Sequence, residues 1–545
     1  MTAPIVRTQA SRGFPATGHL PRRGGWPVPL VAAALAIFSA CDSSTDPDPV
    51  PGDPVPTRVV LSTDEVLLSF VGVSETVTAT VLDQNGDAMP GENVDWASND
   101  DGVATVSGSG VITSAAEGTA RITASSGSLS AHLDVDIRTG WTAVAAGSTH
   151  SCGLWGHGVA HCWGTNADGR LGVGALDPGA SSVPLAVASD VLFQALSSGD
   201  AHTCGLTTDG EVMCWGTNRI GQLGNGDDLQ RSTPTPLDTG DRFSVLSVGA
   251  YHGCALRQAD RRAYCWGGGL GPAGSGRDVA VGYVPADTCA IAAPFSARCS
   301  LSPRAVQGGL AFNRISAGLS HTCAVADGGL TYCWGWNEGQ LGNGEIHGNA
   351  PGSIPAGYVE PGAVSGGHFF AEISAGTDHT CGVTLAGEGY CWGGSAYSNT
   401  GQLGNGGTGA RSLPTVLDAA VAWGTMASAR QNSDYNGYAC GLDANAAAWC
   451  WGSNRKRQLG SVATEACAVS GGIVPCALSP QPVSGDRVFE SLSPGLEFTC
   501  GVDDDRTAWC WGANAEGQLG DGSTTDRTTP VQVVDPSPPS ASSSP

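Results

Sequence analysis

The chain has 545 residues, a net charge of −24, 80 glycines and only 14% charged side chains. An acidic surface repels phosphate backbones, which argues against nucleic acid as a partner, and so low a charge content excludes a charge-driven disordered polymer. The one lysine, Lys456, follows an arginine and not a glycine, which excludes a Walker-type phosphate loop.

Residues 1–25 carry Arg7, Arg12, Arg22 and Arg23 and no acid, ahead of the apolar run from Trp26 to Ala40 and then Cys41. A basic segment, a short apolar run and small residues before a cysteine read as an export signal. The run is shorter than the ~20 residues a membrane span needs. The segment Phe38-Ser39-Ala40-Cys41 resembles the lipobox of bacterial lipoproteins, with Phe38 standing where that family usually has Leu. The resemblance implies cleavage after Ala40, acylation of Cys41 and attachment to a membrane of the cell envelope. An ordinary signal peptide would instead leave Cys41 as a free thiol. Residues 41–56, rich in Pro and Asp, read as an extended tether.

Residues 57–138 contain no cysteine and several short β patterns. Apolar and polar residues alternate from Thr76 to Leu82, the mark of a half-buried strand. Asn85-Gly86 signals a hairpin turn, and strand-like runs follow at 94–98, 103–107, 110–113 and 118–124. Short strands at this spacing suggest a sandwich. The segment resembles the bacterial immunoglobulin-like group 2 domain, with Trp96 as the expected core aromatic. Such domains serve as spacers or adhesive modules, and the spacer is the plainer expectation.

From 139 to 534 one hairpin recurs seven times: a Cys, a short turn, a second Cys about ten residues on, then Trp-Gly. The pairs are Cys152 with Cys162, Cys204 with Cys214, Cys254 with Cys265, Cys323 with Cys333, Cys381 with Cys391, Cys440 with Cys450 and Cys500 with Cys510. Two further close pairs are Cys289 with Cys299 and Cys467 with Cys476, and Cys41 is left over. Seven self-similar units of short strands suggest a closed β-propeller. In the second copy, a turn at Thr208-Asp209-Gly210 sets Leu206 opposite Val212, Gly205 opposite Met213 and Cys204 opposite Cys214. A non-hydrogen-bonded pair brings Cα atoms to ~4.5 Å, within disulfide reach. Cystine on this scale belongs to an oxidising compartment outside the cytoplasm.

Trp163, Trp215, Trp266, Trp334, Trp392, Trp451 and Trp511 follow the second Cys, so the face opposite each disulfide carries a Trp for wedging between blades. Asn166, Asn218, Asn337, Asn454 and Asn514 lead into GQLG-like turns, where Asn and Gly suit left-handed backbone. Pro184, Pro234, Pro303, Pro414, Pro480 and Pro530 are expected just before edge strands. The combination resembles the regulator of chromosome condensation repeat family, which implies a seven-bladed propeller. The fold expected is therefore all-β: a seven-bladed β-propeller with an N-terminal immunoglobulin-like β-sandwich and, from 535 to 545, a disordered tail. The third copy lacks the Asn and QLG turn, and 270–303 and 461–479 are insertions, each pinned by its own Cys pair. They are expected to project from one rim and to be the best contact candidates.

No catalytic constellation emerges. Gly269, Gly271 and Gly274, like Gly404, Gly406 and Gly409, fit GxGxxG by chance in so glycine-rich a chain and precede no helix. Histidine two residues before Cys, at His150, His202, His252, His321 and His379, raises the possibility of metal. Tyr438 and Phe498 at the same place point to packing instead. Asp503-Asp504-Asp505 reads as a solvated turn and not a calcium site. No cofactor is expected. The expected function is that of a non-enzymatic, envelope-anchored lipoprotein, a monomer whose propeller rim binds a protein or surface polymer. The alternatives are guanine-nucleotide exchange by family resemblance, a propeller-type enzyme inhibitor, or an enzyme acting on surface polymers.

Overall fold

The computed structural model describes residues 53–538 apart from 177–178, 269–286, 290–296, 347–357, 395–398, 431–436, 463–464 and 470–471. The expected export signal, Cys41 and most of the expected tether therefore lie outside the described residues, as does 539–545 of the tail. Among the described residues no helix is long and apolar enough to cross a membrane.

The N-terminal sandwich has a four-stranded sheet in which Glu65–Leu68 runs parallel to Leu129–Ile137, followed by Gly118–Ser126 and Asp95–Ser98. Ser74–Thr76, Val111–Ser114 and Ala104–Val106 form a second sheet, and Arg58–Leu61 pairs with Ala79–Leu82. Alternation along each strand buries Val66, Ile112, Ile122, Leu133, Val135 and Ile137 together. The segment expected as one strand, Thr76 to Leu82, is split between two sheets. The break falls at Val77, which is buried and whose N–H donates to Gly110 O at 2.9 Å. Trp96 is only half-buried, at the rim of an aliphatic core. Gly110 explains its seat: a side chain there would meet the Trp96 ring at 2.9 Å.

Seven antiparallel meanders follow, each built around four strands in chain order. The first runs through Trp141–Ala146, His150–Trp155, Val159–Thr165 and Ala180–Ala186; the seventh through Phe489–Pro494, Phe498–Asp503, Ala508–Gly512 and Arg527–Gln532. In the second blade Cys204 lies opposite Cys214, Gly205 opposite Met213 and Leu206 opposite Val212. Gly210 takes the left-handed backbone of the turn, with φ +89°.

This register closes a disulfide in all seven hairpins, with Cα atoms 4.0–4.1 Å apart. Cys152 is bonded to Cys162, Cys204 to Cys214, Cys254 to Cys265 and Cys323 to Cys333. Cys381 is bonded to Cys391, Cys440 to Cys450 and Cys500 to Cys510. The extra residue between Cys254 and Cys265 is taken up in the turn, because the two cysteines still face each other directly.

One packing rule then runs round the ring. The disulfide of each blade and the Trp of the next share a buried cluster. Cys152 and Cys162 pack with Trp215, Cys204 and Cys214 with Trp266, and Cys254 and Cys265 with Trp334. Cys323 and Cys333 pack with Trp392, Cys381 and Cys391 with Trp451, and Cys440 and Cys450 with Trp511. Cys500 and Cys510 pack with Trp163 and close the circle. The expectation that sulfur and indole occupy opposite faces of a hairpin is met in this way.

Each of six indoles also finds a polar partner in the preceding blade, as a buried Trp N–H requires. Trp266 donates to Gln222 O at 3.0 Å, Trp392 to Gln340 O at 2.9 Å, Trp451 to Gln402 O at 3.0 Å and Trp511 to Gln458 O at 2.9 Å. Trp215 uses Arg170 O, from the first copy's GRLG, and Trp163 uses Gln518 O across the junction of first and last blades. The GQLG turn is thus an acceptor for the neighbouring CWG, and the following Leu, from Leu171 to Leu519, is buried beside it.

Two local expectations are corrected. The repeated Asn is not left-handed: Asn166 has φ −104°, and none of the five appears among the positive-φ residues. Its use is the side-chain amide, whose oxygen accepts from the N–H of the turn leucine, as in Leu223 to Asn218 at 2.9 Å and Leu519 to Asn514 at 2.9 Å. The glycines of the turn, such as Gly221 and Gly224, supply the left-handed backbone. The repeated prolines lie inside the outermost strand, not before it. There the register shifts against the third strand, so a missing N–H breaks no ladder bond.

Candidate functional site

In a four-strand meander the first-to-second and third-to-fourth connections leave one end of the blade, and the second-to-third turns leave the other. The propeller therefore has two chemically different faces. One bears the second-to-third turns, and the sandwich sits on it. Trp155, in the first blade's turn region, donates from Nε1 to Ser69 O at 2.7 Å, and Phe70 stacks on its ring at 6.0 Å. His157 N donates to Ser69 Oγ at 3.2 Å, and its Nε2 lies 2.9 Å from Asp136 O. Arg506, in the seventh blade's turn, pairs with Glu117 of the sandwich and donates to Thr139 O at 3.1 Å. Phe70, Trp141, Trp155, Trp163 and Phe498 fall in one buried cluster. The sandwich thus touches both the first and last blades. The sequence carries the signal: the first copy has Trp-Gly-His-Gly where the second has Thr-Thr-Asp-Gly.

Among the described residues no domain packs on the opposite, open face, and that face carries the longest departures from the repeat. In the sixth blade Glu465–Val469 pairs with the extended strand Gly472–Pro482, adding a fifth strand, and a disulfide joins Cys467 to Cys476 with Cα atoms 5.9 Å apart. In the third blade Asp287–Cys289 pairs in the same way with Ala297–Ala305. The backbone register there sets Cys289 opposite Ala297 and Cys299 opposite Asp287. The side chains of Cys289 and Cys299, and with them the bridge expected between the two, lie outside the described residues, as does much of 270–303. Both hairpins interrupt the third-to-fourth connection, so both leave from this one face. The sixth blade is also longer between its first two strands, where 429–437 replaces the compact Ser-x-Gly-x-x-His connection. Arg430, in that connection, reaches across to the first strands of the second and third blades. Its guanidinium donates to Val248 O at 3.2 Å and reaches Ser197 Oγ at 3.5 Å. Burial lowers its pKa to about 10. A polar cavity of about 190 Å³ lies beside it, walled in part by Ser197, Ser198, Ser428 and Ser493.

The recurring histidines serve the ring. His150, His202, His252, His321 and His379 are fully buried. Where the next blade has Thr before its first Cys, the imidazole uses it: His150 with Thr203, His252 with Thr322 and His321 with Thr380, each at 2.9 Å from Nε2. His202 faces a blade with Gly253 at that place, and among the described residues neither of its ring nitrogens has a hydrogen-bond partner. Tyr438 takes the same position; its hydroxyl donates to Gly495 O at 3.1 Å and lies 3.1 Å from Thr499 Oγ1. Burial lowers the pKa of His202 and His321 to about 3 and of His252 to about 4, and holds His150 well below its ordinary value. Burial thus favours the neutral form of these four, and all five histidines recur at one place in successive blades. Asp503 likewise forms a closed turn, accepting from Thr507 N at 2.8 Å and Trp509 Nε1 at 2.7 Å.

A ring of disulfide-stitched modules with a sandwich on one face defines a class of repeat protein. Family models described as "Regulator of chromosome condensation (RCC1) repeat" match residues 193–222, 312–340 and 491–518, and 209–256 and 507–542. The model of the "Bacterial Ig-like domain (group 2)" matches residues 58–135. The chain carries RCC1 repeats and a group 2 bacterial Ig-like domain. It is 27% identical over 393 residues to the ultraviolet-B receptor UVR8 of Arabidopsis thaliana, covering 71% of this chain and 80% of that one. It is 29% identical over 247 residues to the human E3 ubiquitin-protein ligase HERC2, covering 44% of this chain and 4% of that protein. Two crystal structures of yeast Prp20 share the fold at 18% identity. One, bound to Kap60, gives a TM-score of 0.56 and covers 72% of this chain and 85% of the other. The second, described with its binding to Gsp1p and histones, gives 0.57 and covers 69% and 85%.

Proposed function

We propose that the chain is an exported lipoprotein held in the cell envelope through Cys41, and that its propeller is a non-enzymatic head that binds a protein. The observation that carries this reading is the cystine ring. Seven matching bridges form the interior of the blades, and such bonds form and persist in an oxidising compartment. The basic and apolar N-terminal segment ending at Cys41 supplies the route and the anchor. The sandwich packs on the first and last blades at one propeller face, and the opposite face is the one we take to be offered to a partner. Nucleotide exchange, which the repeat resemblance brings with it, requires a GTPase in the same compartment, and an exported head would meet none.

Two measurements test the reading. Metabolic labelling with a fatty acid should mark the wild-type protein in its bacterial host and be lost in Cys41→Ser. Mass spectrometry of protein alkylated directly from cells should find the fourteen hairpin cysteines unmodified. Their alkylation, with Cys41 unlabelled by lipid, would return the protein to the cytoplasm and overturn the proposal.

A further inference from the structure

The sixth blade holds the only lysine of the chain and holds it between two arginines. Arg455, Lys456 and Arg457 are all exposed at the tip of that blade's GQLG-type turn, on the open face. In a chain with 50 acids and 26 basic residues, three consecutive cations form a local inversion of charge. The turn beneath them is fixed. Gln458 O accepts from both Trp511 Nε1 and Thr499 Oγ1 at 2.9 Å, Leu459 is fully buried, and its N–H donates to Asn454 at 3.1 Å. The cations are only loosely engaged: Lys456 Nζ is 3.9 Å from Asp526, and Arg457 donates to the neutral Thr528 Oγ1 at 2.9 Å. The adjoining insertion adds aliphatic surface, with Val462 79% and Ile473 76% exposed on and beside the disulfide-pinned hairpin.

We infer that this corner of the open face is a docking surface for a protein segment of mixed acidic and aliphatic side chains. The inference rests on reading the propeller as a binding head and gives that head its surface. Charge complementarity selects an acidic partner and steers its approach. The flanking Val462 and Ile473 select a protein over a polyanionic polymer. A sulfated or phosphorylated polymer would use the cations and gain nothing from two exposed aliphatic groups, whereas protein contacts centre on apolar groups rimmed by charge. A rigid turn and a cross-linked hairpin also lose little conformational freedom on binding.

The test is peptide-display selection on the immobilised full chain, with soluble heparin as a second probe. Selection should enrich peptides that combine Asp or Glu with Leu, Ile or Phe. Their affinity should fall about tenfold or more in the triple variant Arg455→Ser, Lys456→Ser, Arg457→Gly, and about threefold or more in the double variant Val462→Ser, Ile473→Ser. It should be unchanged in Leu385→Ser on the sandwich-side face. All variants lie at exposed positions, and retained disulfides and an unchanged far-ultraviolet spectrum report their fold. Enriched peptides that ignore both open-face variants and respond to Leu385→Ser would leave the binding head standing and overturn this surface. Heparin binding lost in the triple variant, with no peptide enriched, would put a polymer in place of a protein. A selection that enriches nothing, with no heparin bound, would overturn both the surface and the binding head.

Discussion

The recurring histidine shows how one residue type changes meaning with its surroundings. In sequence, five imidazoles at one repeat position invite a metal. In the fold each takes the same place in its own blade, buried, and joined where possible to a threonine of the next blade. The penalty appears on acidification. An imidazole whose folded pKa is depressed binds no proton in the native state while the unfolded chain takes one up at about 6.5. The stability this gives is complete above that value and falls as pH drops toward the folded pKa of about 3 for His202 and about 4 for His252. The slope is about 1.4 kcal/mol per pH unit for each such group. Denaturation midpoints should decline steeply between about pH 6 and 4. His202→Phe, which borrows the residue of the seventh copy, should flatten that slope while leaving stability at neutral pH nearly unchanged, because among the described residues His202 has no hydrogen bond to lose. An unchanged slope would mean that His202 titrates normally in the folded protein.

At the scale of elements, the hairpin is the most legible part of the sequence. A Cys pair at fixed spacing, a Gly at the turn and a Trp on the opposite face fix register, bridge and burial together, because a one-residue slip would reverse every side chain. What stays hidden is which element each repeated letter serves. The Gln of GQLG acts through its side-chain oxygen, which accepts the N–H two residues before it, while its backbone carbonyl takes the Trp of the following blade, and Asn acts through its amide. Both are contacts across loops, with no periodicity to announce them. The sandwich strand expected at 76–82 departs for a related reason: alternation continues through a switch from one sheet to another. The coupling of sulfur to indole makes a quantitative prediction. The double variant Cys440→Ala, Cys450→Ala should lose about 2–3 kcal/mol from loop closure alone. It also strips sulfur from the surface of Trp511. The loss read by chemical denaturation should therefore exceed that of Cys467→Ala, Cys476→Ala, whose bridge lies in an added hairpin and touches no repeat Trp. Equal losses would mean the hairpin bridges act only on the unfolded chain.

At the scale of the molecule, the sequence announces a propeller and a sandwich and gives no measure of how they meet. Their junction depends on Phe70, Trp155 and His157, residues whose importance rests on proximity between distant segments. The expected spacer is joined to the propeller by packing as well as by chain. Trp155→Ala should detach it. Large-to-small changes at buried aromatic sites remove about 3–5 kcal/mol. Limited proteolysis should then cut at 138–141 in the variant and spare the wild type. Resistance in both would mean that Arg506 and Glu117 hold the joint unaided.

No two blades share a strand, and the first and last are the one neighbouring pair not joined by a direct link of chain. The ring therefore has a seam, held by packing and by bonds such as Trp163 to Gln518 and Trp141 N to Arg506 O at 2.7 Å. The immunoglobulin-like domain lies across that seam, with Phe70 against blade one and Glu117 against blade seven. It works as a clasp. A toroid fastened this way would spring open at one predetermined joint when the clasp is lifted, so mechanical load arriving from the N-terminal side would reach the fastening before it reached any blade.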